Sequence, residues 1–488
     1  MPSSDLPTHH IRHHAGRCRP DRHRHGRGAG MSGSRHDYAI VGGGIAGLAI
    51  AEGLARSGFD VLLVERNEKL CQEASASHHG WFHFGSLYSI FPQNQFLRTM
   101  VGGVEDLLDH YAGFPGLNIA ITPEGRLAFP QTGGAWFRDE PIEYIVSARN
   151  DPDFDMRSFE SVSAYARKVF FLMTWELAIK QFISRHQRFH KHDWSGGVAA
   201  SQWIPRAGFA DYSREVITKP DHPGINLDIN THFRIVGYDR PMRSAAIVTD
   251  LVRSFIGAGG TIAVGAEIEH VERLGQGARL TTAGGRRIEA ANVVFAAGKW
   301  LGRFLSRQED VKVVASPLLV AWPAVADHHF VRMTPFVDRS VNHLHHEIGG
   351  RRYSVIGGGY FANPKDEAAV AHATEKLVEM ARRVFPALAD ACIIETYQGY
   401  KTEIVAHSGE RNYQYFIRQV GDGIHVVVPG KFSLAFSLAV NTVRRLTGKT
   451  LPREVKLANA EAAQLYVGIA RHAACVAPEP VAAAPVAA

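Results

Sequence analysis

The feature that most constrains this chain is a glycine-rich turn set between two short apolar segments. Tyr38-Ala39-Ile40-Val41 is a continuous apolar run, the mark of a strand buried on both faces in a parallel sheet. Gly42-Gly43-Gly44-Ile45-Ala46-Gly47 follows and satisfies G-x-G-x-x-G. Leu48 to Ser57 then reads as a helix closed by Gly58, and Asp60 to Val64 as a second strand ending in Glu65. Each part has a physical task. Gly42 permits the tight turn, Gly44 lets the backbone approach a pyrophosphate at the helix N-terminus, and Gly47 allows helix and strand to pack closely. Glu65, 23 residues after Gly42, is placed to accept hydrogen bonds from ribose hydroxyls. The unit predicts dinucleotide binding and leaves open which dinucleotide. A second glycine triplet, Gly357-Gly358-Gly359, follows the apolar run Tyr353 to Ile356. It then meets Asn363-Pro364, which does not open a helix, so it reads as a turn and not as a second nucleotide site.

Later segments narrow the choice. Ala245 to Gly257 reads as a helix and Gly259 to Val264 as a strand. Leu280-Thr281-Thr282 and Arg287-Ile288-Glu289 form a predicted hairpin around Gly284-Gly285. Val293 to Ala296 is a buried strand that ends in an Ala297-Gly298 turn before Trp300. Ile424 to Val428 leads through Pro429-Gly430-Lys431 into a helix from Ser433 to Leu446.

This layout resembles the D-amino-acid-oxidase-like superfamily of FAD-dependent oxidoreductases, nearest its glycerol-3-phosphate dehydrogenase and L-2-hydroxyglutarate dehydrogenase branch. The resemblance spans about residues 37–450 and is carried by the blocks 37–91, 236–304 and 395–446. It implies FAD as cofactor. The implied contacts are Gly42, Gly44, Ile45, Ala46, Gly47, Glu65, Arg66, Ser75, Ser77, His78, Gly80, His83, Ile268, Ala297, Gly298, Trp300, Gly430, Lys431, Phe432 and Ser433. His83-Phe84-Gly85 matches an H-x-G element under the flavin, and Gly430-Lys431-Phe432-Ser433 matches a G-K-L-[ST] element at its ring. A helix N-terminus and a lysine there would stabilise negative charge on a reduced flavin. Two departures bear on substrate. The glycerol-phosphate enzymes carry an arginine where this chain has Leu87, and their G-x-R-P element is here Gly399-Tyr400-Lys401-Thr402. A lysine is a point charge and not a bidentate fork, which argues for a carboxylate or neutral substrate over a phosphate monoester.

The expected fold is α/β: a doubly wound FAD-binding domain from residues 37–125, 236–310 and 395–460, interleaved with an antiparallel-sheet substrate domain from 126–235 and 311–394. The expected reaction is oxidation of a C–H bond beside a hydroxyl or amine of a small, carboxylate-bearing molecule, with hydride passing to flavin N5. His83 is the candidate base, Lys401 the anion anchor, and Tyr88, Tyr397 and Tyr400 a polar wall. The electron acceptor is oxygen, a quinone or a carrier protein. A flavin monooxygenase stays open as an alternative, although Pro429-Gly430-Lys431 replaces the Gly-Asp pair typical of the aromatic-hydroxylating class. A flavin-bound structural or assembly protein without turnover stays open too.

Composition enters at the edges. The net charge of +6 comes mostly from residues 1–36, where seven arginines face Asp5 and Asp21. The remainder is near neutral and makes no case for nucleic acid. That arm also holds seven histidines, and it reads as a metal-binding tract, a basic targeting arm, or residues ahead of a start at Met31, the reading that fits best. It lacks the apolar core of a secretory signal. Residues 476–488 read as a disordered Pro/Ala-rich tail. Phe159 to His190 reads as helical with a basic end, taken as a solvated substrate-domain helix in preference to a membrane-surface helix. His343, His345, His346 and Glu347 have metal-like spacing, but read as strand and turn residues, and no metal is expected. Four scattered cysteines and no spanning apolar run fit a reducing, cytoplasmic setting.

Overall fold

The computed structural model describes residues 35–468, apart from 86, 88–93, 124–126, 148–214, 218–231, 237, 306–310, 334–339, 349 and 405–413. Tyr88, the expected helix from 159 to 190 and both terminal segments lie outside the described residues.

The apolar run at the start becomes the strand His36–Val41, whose last four residues are buried. It sits at the centre of an eight-stranded sheet, parallel to Val61–Val64 on one side and to Arg287–Phe295 on the other. Thr261–Ala263 extends the parallel set beyond Val61–Val64. Arg287–Phe295 is one strand with two kinds of partner, so the expected hairpin arm and buried strand are continuous. Its first residues pair antiparallel with Ala278–Thr282, and its last three pair parallel with Ile424–Val428. One face of this sheet is covered by the helices Ile45–Arg56, Ser244–Gly257 and Ala435–Thr447, whose apolar residues join its main core cluster. Close helix packing has a local cause: a Cβ on Gly53 would meet Val443 Cγ2 at 3.1 Å and Leu451 Cδ1 at 3.3 Å. Glu52, fully buried, pairs with Arg56 at 2.8 Å and accepts the Ser254 hydroxyl at 2.7 Å, which ties two of these helices together.

A second eight-stranded sheet runs in the order Cys392–Ile404, Val311–Trp322, Arg351–Gly358, Val341–Ile348, His329–Met333, Ile142–Ser147, His232–Val236, Glu215–Ile217. It is antiparallel except where His329–Met333 pairs with Ile142–Ser147. The helix Glu367–Val384, capped by Asp366 accepting from the Ala369 amide, covers one face through Leu377 and Ala381 against Leu319, Phe330 and Ile356. This sheet corrects two expectations. Cys392–Ile404 pairs along the whole of Val311–Trp322, so residues 395–404 go with the second sheet and not with the nucleotide-binding one. The strand that begins before Tyr353 continues through Gly357 and Gly358 instead of turning there. Both glycines are needed for space, because a Cβ on Gly358 would lie 2.7 Å from the Ser340 carbonyl oxygen, and one on Gly357 would overlap the His79 ring.

Candidate active site

The carboxyl ends of the three central parallel strands define the site. The Gly42 amide donates to the Val64 carbonyl and the Ala296 amide to the Val41 carbonyl, each at 2.8 Å, so three strand ends are stitched side by side. A cleft of about 380 Å³ opens there, at the place where α/β sheets bind ligands, and continues to the second sheet.

At the nucleotide end, Gly42 has φ +110°, and a Cβ on it would lie 2.6 Å from the Ala296 carbonyl oxygen. Gly47 does not line the cleft; a Cβ there would overlap the Gly42 carbonyl, the close contact of helix and turn expected from the motif. Gly44, Ile45 and Ala46 line the cleft at the start of the helix, where Ser75 Oγ accepts from the Ile45 amide at 2.9 Å. Glu65 also lines it, with its carboxylate accepting from the Gly43 amide at 2.6 Å and the Asn67 amide at 2.9 Å. The protein's own backbone thus holds the carboxylate in place, and each oxygen keeps a further acceptor position for a ribose hydroxyl. Arg66 and Lys299 both pair with Glu73, and the Arg66 guanidinium stands 4.4 Å from the Trp300 ring. Ile268, Ala297 and Gly298 complete this end.

The other end is built where three elements meet. Trp81–Phe82 pairs antiparallel with Arg240–Pro241, which sets His83 beside Asp239. His83 lines the cleft, its Nδ1 3.7 Å from Asp239 Oδ2 and its ring tilted on Trp81 at 4.3 Å. Burial lowers its pKa most, and Lys431 and Lys401 add to this against the opposing pull of Asp239, so it rests neutral. From the second sheet, Leu318, Asn342, Gly399 and Lys401 line the cleft, with Lys401 Nζ 4.5 Å from the Phe361 ring. From the late strand come Gly430, Lys431 and Phe432; Phe432 meets the His78 ring edge-on at 5.2 Å. The helix expected from Ser433 starts with a 3₁₀ turn, Phe432–Leu434, before Ala435–Thr447.

Most of the residues expected at the cofactor or the substrate are therefore brought to one cleft, Ser77, His78, Tyr400, Lys401 and Lys431 included. Four are not on its lining. Gly47 packs on the turn, and Gly80, at φ +81°, makes room for the His346 ring. Ser433 is buried behind Phe432 in the sequence and off the lining. Tyr397 is no polar wall: its hydroxyl donates to the His78 carbonyl at 3.2 Å, and it packs on Val320 and Tyr353. Sequence reasoning missed His79, Asn342 and Asp239. His79 Nε2 and Asn342 Oδ1 are buried with no hydrogen-bond partner among the described residues, and both residues line the cleft. Such polar atoms call for a ligand or water.

The metal-like histidines have protein partners instead. His343 Nε2 meets Ser354 Oγ at 2.7 Å, and His346 Nε2 donates to the His79 carbonyl at 2.8 Å. His345 joins His329 and Glu140 in a compact group, but the Arg138 guanidinium already holds Glu140 at 2.5 Å and His345 Nε2 at 3.1 Å.

The model of one family, "FAD dependent oxidoreductase" (DAO), matches residues 37–430. The chain belongs to this family. Its cofactor is FAD, and it is an oxidoreductase. The cleft fits that cofactor: bare backbone at Gly42 and Gly44, a fixed carboxylate at Glu65, and polar atoms awaiting partners at the far end. Among solved structures, the fold is similar to glycine oxidase from Geobacillus kaustophilus, at 16% identity and TM-score 0.55, covering 86% of this chain and 99% of that one. It is also similar to L-α-glycerophosphate oxidase from Mycoplasma pneumoniae with FAD bound, at 14% identity and TM-score 0.58, covering 86% and 96%. A sequence relative is the tRNA 5-methylaminomethyl-2-thiouridine biosynthesis bifunctional protein MnmC of Burkholderia mallei, 43% identical over 53 residues, 11% of this chain. The match spans only 8% of that relative's length. Among the described residues, no helix is long and apolar enough to cross a membrane.

Proposed function

We propose that this flavoprotein oxidises a C–H bond beside a hydroxyl or amine of a small, carboxylate-bearing substrate. The observation that carries this reading is the charge pattern along the cleft. At the nucleotide end, acids line the wall with cations: Glu73 with Arg66 and Lys299, Glu267 with Arg303. At the other end Lys401 and Lys431 line it, and no described lining residue there is acidic. That end attracts an anion. Lys401, on a strand of the second sheet, holds the substrate carboxylate. His83, kept neutral by burial, accepts the proton of the substrate hydroxyl or ammonium. Lys431, at the start of the late helix, adds positive charge beside Phe432. The flavin supplies the hydride acceptor. Neighbours whose names make them oxidases of glycine and of L-α-glycerophosphate support a small anionic substrate.

The test is anaerobic mixing of the holoenzyme with panels of small hydroxy acids, amino acids and amines, following loss of the flavin's visible absorbance. Reduction by members of the carboxylate panels is the expected result. Reduction by none of them, with reduction by a nicotinamide donor instead, would point to the monooxygenase class and end this reading.

A further inference from the structure

The Asp239 carboxylate is fully buried, yet the proposed chemistry gives it no task. Its surroundings are unusually complete. Oδ2 accepts from Trp81 Nε1 at 2.9 Å and from the Tyr144 hydroxyl at 2.6 Å, while Oδ1 accepts from the Phe84 amide at 2.7 Å. These donors come from both sides of His83 in the chain and from a strand of the second sheet. Burial pushes the carboxyl up, but a protonated His83, the Tyr144 hydroxyl and the Phe84 amide pull it below its ordinary range, and the donors from Trp81, Tyr144 and Phe84 keep the group charged while His83 is neutral. Beside this fixed charge stands the His83 ring, with Nδ1 at 3.7 Å. That is an ion-pair distance and too long for a hydrogen bond. A bare lone pair on Nδ1 would face the carboxylate repulsively, whereas an N–H there faces it favourably.

We infer that Asp239 is a positioning residue, fixing His83 with its Nδ1–H turned inward and its Nε2 lone pair on the cleft. This rests on the reading of His83 as proton acceptor. When Nε2 takes the substrate's proton, the ring becomes an imidazolium with both nitrogens protonated, and the carboxylate at 3.7 Å stabilises that cation. The charged groups acting on His83 are then opposed by design of the fold. Asp239 raises its proton affinity, Lys431 and Lys401 lower it, and His79 stands close enough to feel its charge.

The experiment needs no substrate. In holoenzyme labelled with ¹⁵N-histidine, long-range ¹H–¹⁵N correlation reads the His83 tautomer, with His83→Gln assigning the signal. The expected wild-type state is Nδ1–H; an Nε2–H tautomer overturns the inference. Asp239→Asn should lower the His83 pKa by about one to three units, the usual effect of an opposite charge at this range. Tyr144→Phe removes one donor from the carboxylate and should raise it. A His83 pKa unchanged in both variants also overturns the inference, and Tyr144→Phe with the wild-type tautomer decides the matter if Asp239→Asn does not fold. A confirmed tautomer with no carboxylate able to reduce the flavin leaves Asp239's role standing and removes the proposed function alone.

Discussion

Gly44 and Gly47 sit three residues apart in one motif, and the structure separates what an added methyl does at each. At Gly47 a Cβ would stand 3.1 Å from the Gly42 carbonyl carbon and closer still to its oxygen. Alanine gains about 1 kcal/mol over glycine in a helix. Overpacking costs about 1–3 kcal/mol, and here it falls at the upper end, because backbone atoms have no rotamer through which to escape. Gly47→Ala should therefore destabilise the apoprotein by about 1–2 kcal/mol. At Gly44 the methyl would meet, among the described residues, only Ser75 Oγ at 3.3 Å, and the backbone there, φ −70° and ψ 174°, suits any residue. The apoprotein should lose less than about 1 kcal/mol, the loss of a helix N-cap glycine. FAD affinity should still fall by about 10- to 150-fold, the equivalent of about 1.5–3 kcal/mol for one lost hydrogen bond to a charged group. The assay is denaturant unfolding of the two apoproteins beside flavin titration. The reasoning is refuted if Gly47→Ala unfolds like wild type while Gly44→Ala is the destabilised one, or if Gly44→Ala binds FAD with unchanged affinity.

The two cleft lysines should separate in function: Lys431→Ala lowers the flavin reduction potential in a redox titration, whereas Lys401→Ala mainly raises KM in anaerobic reduction kinetics. Glu52→Ala leaves the Arg56 guanidinium, 3% exposed, without its buried carboxylate, and should cost about 3–5 kcal/mol in denaturant unfolding. His346 and His343 have pKa values depressed to about 4 and about 3, first by burial. The unfolded chain therefore takes up their protons first, so stability is full above the ordinary histidine pKa of about 6.5 and falls as pH drops towards about 4, by up to about 1.4 kcal/mol per unit for each histidine. Equal unfolding free energies at about pH 7 and about pH 5 would contradict that. Deleting residues 1–30 should leave flavin content and melting temperature unchanged, because a segment so rich in arginine and histidine and so poor in aliphatic side chains has little to add to a core.

What was legible in the sequence was local. The turn from Val41 to Gly47 declares itself, because strand, glycines and helix are consecutive and each glycine answers to a neighbour a few residues away. His83 and Lys431 were legible through short motifs. Asp239 was not, because it meets the Phe84 amide across 155 residues through a two-residue ribbon that leaves no periodic signal. His79 and Asn342 escaped for the same reason, since strand pairing opposes Asn342 to Gly357, the glycine whose missing side chain leaves room for His79. Tyr397 was misplaced because its strand was assigned to the wrong sheet. Once Cys392–Ile404 is paired with Val311–Trp322, Tyr397 stands opposite Leu318, over the His78 loop.

The claim on which the account turns is that the lysine end of the cleft is an anion site beside the flavin. It is tested most directly by titrating oxidised holoenzyme with small unreactive carboxylates and with their carboxamides, reading the flavin's visible spectrum. The account predicts a saturable spectral shift with the carboxylates, little with the carboxamides, and a dissociation constant raised about 10- to 150-fold in Lys401→Ala, as for one lost charge-assisted hydrogen bond. Equal shifts with both series, or carboxylate affinity unchanged in Lys401→Ala, would contradict it.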